Sequence, residues 1–383
     1  MGTLLSWFFK IFHTDYDAKN NRRVASGAQL QTRTKVTSGS VAEAGESTRS
    51  TAAASLNSNQ SNAQSGSQNR PANQFDGDYN DLPTFVDACY FDWMAGKSGD
   101  SPVRDDAFER KIIDNLTVVA ESESAGANLI PRVPSVMVQL LKRMHEENVS
   151  GSDLSRIITK DVALVAAVLN EVNSSLYNLN DKITELSQAI MVLGYNRLRM
   201  VLTKLSFTPI FNDQLGTYTK LTSAKIWEES QKRALVCYLL AKHQQVDPFV
   251  AFLAGLLHDV GLMVALRVFD RSYANAQLPT SAEFRDAFQK KSLIISSRIG
   301  RIWSLPEIVL QAIDAQTTDV TAIPKTPLAE VLKQADFISK TCVLVDAEQL
   351  GVDPDQMGVV LTDAEIDCLI TMLNGQVSVA NIL

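Results

Sequence analysis

Residues 252–264 form a nearly unbroken apolar run, Phe252-Leu253-Ala254-Gly255-Leu256-Leu257-His258-Asp259-Val260-Gly261-Leu262-Met263-Val264, in which the His-Asp pair is the only strongly polar interruption. A helix that is hydrophobic on all sides must be surrounded by other elements, so the chain has to build a body around this segment. An imidazole and a carboxylate survive in such a core only with partners or with shifted protonation states. His258 and Asp259 are therefore the first candidates for a functional site.

The histidine count limits what that site can do. A two-metal hydrolytic centre needs several imidazole and carboxylate ligands converging on ions roughly 3.5–4 Å apart. The chain has 4 His, and His13, His145 and His243 fall in an N-terminal tail, an early helical pattern and a polar helix end. That leaves His258 as a buried histidine hydrogen-bonded to a neighbouring carboxylate, with no metal or other cofactor expected. The 4 cysteines, Cys89, Cys237, Cys342 and Cys368, lack CxxC or zinc-type spacing, which fits a reducing compartment. No stretch is expected to reach the roughly 18–20 apolar residues of a membrane span, and the N-terminus lacks a secretory pattern. A cytoplasmic protein is expected.

The net charge of −7 is unevenly distributed. Residues 1–70 carry eight Lys/Arg against four Asp/Glu, so the rest of the chain is more acidic than the total. An acidic body argues against nonspecific nucleic-acid binding, which depends on Lys/Arg contacts to phosphate. The basic tail suits an anionic surface instead. Its first residues place Leu4, Leu5, Phe8, Ile11 and Phe12 at helical spacing, a pattern read either as an interfacial helix, giving residues 1–24 a peripheral membrane contact, or as a segment docking on the folded body. Residues 27–73 are Ser, Thr, Ala, Asn, Gln and Gly with few large apolar side chains, a composition that cannot offset chain entropy by burial.

Beyond the tether, helical patterns succeed one another with almost no alternating strand runs. Two accessory helices are expected within 75–125, capping or extending the next domain. Helical segments then cover 134–146, 152–159, 162–173, 183–194 and 196–207, a second group covers 224–244, 248–268, 281–290, 293–303 and 306–315, and a third covers 328–345 and 363–373. A boundary between the first two groups is placed at 217–222. The expected fold is all-α, with an amphipathic N-terminus and disordered linker (1–74), accessory helices (75–125), two helical subdomains (126–222 and 223–320) and C-terminal helices completing the second (321–383).

Leu129-Ile130-Pro131-Arg132-Val133-Pro134, Asp161-Val162-Ala163-Leu164, Asn173-Ser174-Ser175-Leu176-Tyr177, Ala189-Ile190-Met191-Val192-Leu193-Gly194, the 253–261 run and Trp303-Ser304-Leu305-Pro306 occur in this order over residues 129–336. In that order and spacing the chain resembles the HDOD family, the HD-related output domain of bacterial signalling proteins. The resemblance implies a helical bundle of two subdomains, the second a degenerate relative of HD metal-dependent phosphohydrolases, and a noncatalytic regulatory role. Where an HD enzyme has its first histidine this chain has Glu229, the doublet survives as His258-Asp259, and the late aspartate corresponds to Asp336. Leu262, Ser292, Gln316 and Thr317 stand where further catalytic-site residues would be.

Glu229, His258, Asp259 and Asp336 are thus a vestigial set of one imidazole and three carboxylates. The favoured reading is a buried polar knot in which His258 and Glu229 or Asp336 satisfy one another. The alternative is a single hard cation held by His258, Asp259 and Asp336, serving a phosphohydrolase or phosphodiesterase acting on a nucleotide. A third reading, a nonhydrolysing cyclic-dinucleotide sensor, would use Arg132, Arg197, Arg199 and Lys204, with Lys142 and Arg143, as a ligand groove, against the simpler view of a solvated charged face. Asn173 and Ser174 are expected to hydrogen-bond backbone across the bundle, and Met137, Met144, Met191 and Met200 to be core. The expected protein is a regulatory output module acting through a signalling protein partner.

Overall fold

The computed structural model describes residues 73–75, 77–96, 105–122, 129–132, 136–139, 151–174, 177, 179–211, 216–273, 276–317, 326–351 and 353–375. The chain divides into two units, Met1–Gly66 and Ser67–Leu383, and every described residue belongs to the second. The amphipathic pattern and linker of the N-terminus, together with Lys142, Arg143 and Met144, lie outside the described residues.

The architecture is all-α. Helices α1 (Leu82–Met94) and α2 (Asp106–Glu121) precede α3 (Gly151–Ile158), α4 (Val162–Val172) and α5 (Leu186–Phe211). Next come α6 (Thr217–Ala241), α7 (Pro248–Leu257), α8 (Val260–Ser272), α9 (Ala282–Ile302), α10 (Glu307–Asp314), α11 (Pro327–Asp346) and α12 (Asp363–Leu373). Among the described residues the strands are β1 (Asn73–Gln74) and β2 (Leu350–Gly351), paired in parallel.

Local chemistry sets the helix starts. Asp105, Asp161 and Asp247 each accept two backbone N–H groups at the head of α2, α4 and α7, and Ser281 and Thr326 cap α9 and α11. These contacts satisfy donors that a helix start leaves unpaired. Asn173 ends α4, where its amide donates to Leu169 O and Ile183 O and accepts from Ile183 N, each at 2.7 Å. It therefore stitches the helix end to the chain ten residues on. At Gly194 the backbone takes a φ of 67°, a left-handed conformation that favours glycine, and there the two segments read at 183–194 and 196–207 join with a kink.

Several boundaries differ from those the sequence pattern predicts. The segment 217–222, where the sequence pattern places the boundary between the first two groups, forms the first turns of α6. Asp270 of α8 caps it, accepting from Tyr218 N, Thr219 N and Thr219 Oγ1 at 2.6–2.9 Å; a cap from a distant helix has no local sequence signal. The two segments read at 281–290 and 293–303 are one continuous helix, α9, within which Ser292 Oγ donates back to Phe288 O at 2.8 Å. Pro306, expected as the first residue of α10, is instead its N-cap, and the helix starts one position later at Glu307. Met137 and Met200 are core, but Met191 is 76% exposed, since its place on α5 faces away from the bundle.

The apolar segment around the His-Asp pair is split in two. α7 ends at Leu257 and α8 begins at Val260, with Asp259 at φ −100°, ψ 16°. Ser296 of α9 resolves the break: its hydroxyl donates to His258 O at 2.6 Å and accepts from Gly261 N at 2.8 Å. A Cβ at Gly261 would lie 2.1 Å from Ser292 O, so α8 and α9 can touch only with glycine there. Contrary to the expectation that no stretch approaches spanning length, residues 248–272 are long and apolar enough by composition, yet nearly all of that window is buried inside the bundle. Core burial and membrane insertion demand the same composition.

Candidate functional site: a carboxylate cluster closed by two internal cations

The break between α7 and α8 turns His258 and Asp259 toward α6 and α11. His258 Nδ1 lies 2.9 Å from Asp259 Oδ1 and 4.0 Å from Asp336 Oδ1. Glu229 joins them from α6 and is fully buried. The four residues of the vestigial set are thus brought together.

What occupies the middle of the set is Arg233, one turn beyond Glu229 on α6 and fully buried. Its Nη2 donates to Glu229 Oε2 and to Asp259 Oδ2, the latter at 2.5 Å. Its Nε is 3.1 Å from Asp336 Oδ1, an ion-pair contact not aligned as a hydrogen bond. A second cation comes from α11. Lys340 Nζ donates to Asp336 Oδ2 and to Asp87 Oδ1 of α1, both at 2.6 Å, and lies 5.6 Å from the centre of the Tyr90 ring. Ser339 Oγ donates to Glu229 Oε1 at 2.5 Å.

These contacts correct the polar knot as it was expected from the sequence. His258 pairs with its neighbour Asp259, while Glu229 pairs with Arg233 and Ser339. Arg233, Lys340 and Asp87 were missed. The available signal was the i,i+4 spacing of Glu229 with Arg233 and of Asp336 with Lys340 on helices, which on an exposed face would be an ordinary surface pair.

The electrostatics arise from burial and these neighbours. Burial pushes the Asp259 carboxyl up, but Arg233, aided by His258, more than reverses this and holds it well below the usual carboxylate range. Asp336 is likewise held low, burial being outweighed by Lys340 and Arg233. For Glu229 burial wins over Arg233, and its carboxyl is pushed up to about 8. Burial lowers Lys340, but Asp336 and Asp87 reverse this and hold its ammonium charged.

Little room remains. The space beside Asp87, Tyr90, Asp259, Ser292 and Lys340 is about 20 Å³, enough for roughly one water molecule and far below the roughly 300–1,000 Å³ of a small-molecule pocket. Among the described residues, no group of three or more His, Cys, Asp or Glu is arranged to hold a metal ion. The donor set is in part suited to a cation, but the guanidinium stands where its ligands converge, so the residues as placed do not fit a metal.

The positions where the resemblance places further catalytic-site residues have other duties. Leu262 and Ser292 line the small cavity. Gln316 donates to Ala312 O and Ala329 O, and Thr317 to Asp314 O, at the end of α10. The basic residues read as a groove are largely committed elsewhere. Arg199 stacks between Tyr195 and Phe249 at 4.7 and 4.4 Å, and Lys204 pairs with Glu171 at 3.3 Å. Arg197 is half-buried on α5, and Arg132 is exposed in another segment.

The fold and site define an all-α bundle whose buried carboxylates are paired with the chain's own cations. Residues 130–318 match the HDOD domain, and this part of the chain is an HDOD domain. An uncharacterized protein of Treponema pallidum (strain Nichols) is 23% identical over 212 residues, 53% of this chain and 40% of that protein. This chain thus spans about two-fifths of that relative. An HDOD domain protein of unknown function from Geobacter sulfurreducens superposes with a TM-score of 0.49 at 19% identity, over 72% of this chain and 91% of the other. A Shewanella amazonensis SB2B protein, provisionally named a metal-dependent phosphohydrolase, gives 0.48 at 16% identity over 70% and 99%. Likeness at this level assigns no chemistry.

Proposed function

We propose that this chain is a noncatalytic regulatory output protein that acts by binding a signalling protein partner, with its HD-type site retained as a charged structural core. The observation that carries the reading is Arg233, whose guanidinium lies within 3.1 Å of both Asp259 and Asp336 and also contacts Glu229. A metal-activated water needs open coordination positions and a place for substrate. Here the carboxylates face a fixed cation, and about 20 Å³ is free beside them. The full chain should carry no stoichiometric metal after native purification. It should not hydrolyse cyclic dinucleotides, nucleoside triphosphates or generic phosphodiesters with manganese or magnesium supplied. Turnover that disappears in His258→Ala while circular dichroism stays unchanged would overturn the reading.

The basic N-terminal segment serves in this reading as a weak, reversible tether to an anionic membrane surface at the cytoplasmic face. Its amphipathic pattern and its basic residues support this. Cosedimentation with anionic vesicles should fall with added salt and be lost on deletion of residues 1–24. Vesicle binding that survives the deletion would remove the tether from the proposal.

A further inference from the structure

We infer that α1 is a releasable plug over the carboxylate cluster, held by the Asp87–Lys340 ion pair. α1 lies outside the family-matched residues 130–318, yet Asp87, Tyr90, Phe91 and Met94 form one wall of the cavity beside the cluster. The opposite wall is Asp259, Leu262, Phe288 and Ser292. Leu82, Val86, Tyr90 and Met94, spaced four apart, are the buried stripe of α1, and Phe91 meets Phe288 edge-on at 6.0 Å. The surface under α1 therefore combines apolar side chains with the Lys340 ammonium. It fits an amphipathic helix that presents an acid to Lys340 from among its apolar residues, and α1 is that helix in cis, with Asp87 on Lys340 and its second acid, Asp92, 3.5 Å from Arg285 of α9.

Two asymmetries make this contact the one that opens. Lys340 is shared equally, at 2.6 Å, between Asp336 of the cluster and Asp87 of the plug, but the Asp336 side chain is 18% exposed and that of Asp87 is 46%. Water and salt compete for the Asp87 arm, and when it lets go Lys340 keeps Asp336, so no buried charge is stranded. The Tyr90 hydroxyl is buried without a hydrogen-bond partner, a cost that is relieved when α1 lifts and water reaches it. Local opening of this kind draws on the least stable contacts of a fold.

The test uses the full chain carrying Ser292→Cys, a near-isosteric change at a position 3% exposed beneath α1. It is treated with a thiol reagent and read by peptide mass spectrometry, with Cys237 and Cys342, buried at 0% and 1%, reporting global unfolding. The thiol at position 292 should react roughly tenfold or more faster than Cys237, as expected for local opening. Adding Asp87→Asn should raise its rate further and leave Cys237 unchanged. Equal rates at position 292 and Cys237 in both backgrounds would overturn the plug. Should Ser292→Cys fail to fold, hydrogen exchange on the wild-type chain serves the same purpose: amides of residues 82–94 exchanging with those of α7 would also overturn it. Neither readout depends on whether the chain hydrolyses anything.

Discussion

Arg233 donates to Asp259 at 2.5 Å across 26 residues of sequence, and the arginine is fully buried. One guanidinium thus links the helix before the apolar hairpin to the break at its centre, and each partner makes the other's burial tolerable.

Replacing Arg233 by alanine should therefore cost about 3–5 kcal/mol, because it leaves Glu229, Asp259 and Asp336 as buried acids without their shared cation. Urea denaturation monitored by circular dichroism measures it. The same variant, where folded, should gain a manganese-dependent rise in melting temperature that the wild-type chain lacks, since ligands now surround an open space.

Asp259→Ala should be comparably damaging, at about 3–5 kcal/mol, because both Arg233 and His258 lose an acceptor. His258→Ala removes a hydrogen bond but leaves Arg233 with its acids, and should cost less, about 1–3 kcal/mol. A wild-type denaturation midpoint in both variants would contradict the buried cluster.

Stability should decline on both sides of a plateau in pH. The folded-state pKa of Glu229 is raised, from 4.5 to about 8, so its contribution is full below the lower value and is lost as pH rises through the higher one. Asp259 and Asp336 are shifted down from 3.8, so theirs is present above that value and is lost as pH falls through their folded-state values. Urea midpoints measured from pH 4 to 9 should show the alkaline decline, and Glu229→Gln should flatten that limb alone.

Trp303 is 3% exposed, stacks on Phe207 at a centroid distance of 5.4 Å and donates from Nε1 to Pro131 O at 3.1 Å. Trp303→Ala should destabilise by about 3–5 kcal/mol. Trp303→Phe keeps much of the ring and should cost less, and the difference between the two midpoints reads the packing share.

Gly261→Ala should be disruptive although alanine favours helices, since its Cβ would meet Ser292 O at 2.1 Å. Ser296→Ala, which leaves His258 O and Gly261 N without their side-chain partner, should cost about 1–3 kcal/mol. Both are checked by thermal melts.

The sequence by itself determined the helical class, the location of the buried core and the place where polar chemistry enters it. Helix spacing and apolar continuity are local properties; the caps at Asp105, Asp161 and Asp247 are local too, but only the structure identified them. The sequence also marked Glu229, His258, Asp259 and Asp336 as one set through family spacing. It left the character of that set open, because Arg233 and Lys340 look like ordinary members of i,i+4 pairs until their helices are known to face inward. Asp87 and Lys340 are 253 positions apart, and no periodicity connects them. Only the packing of α1, α6 and α11 around the break at His258 decided that the cations belong to the site. A charge pair costs little in water, and in a core it becomes the partner that neighbouring acids require.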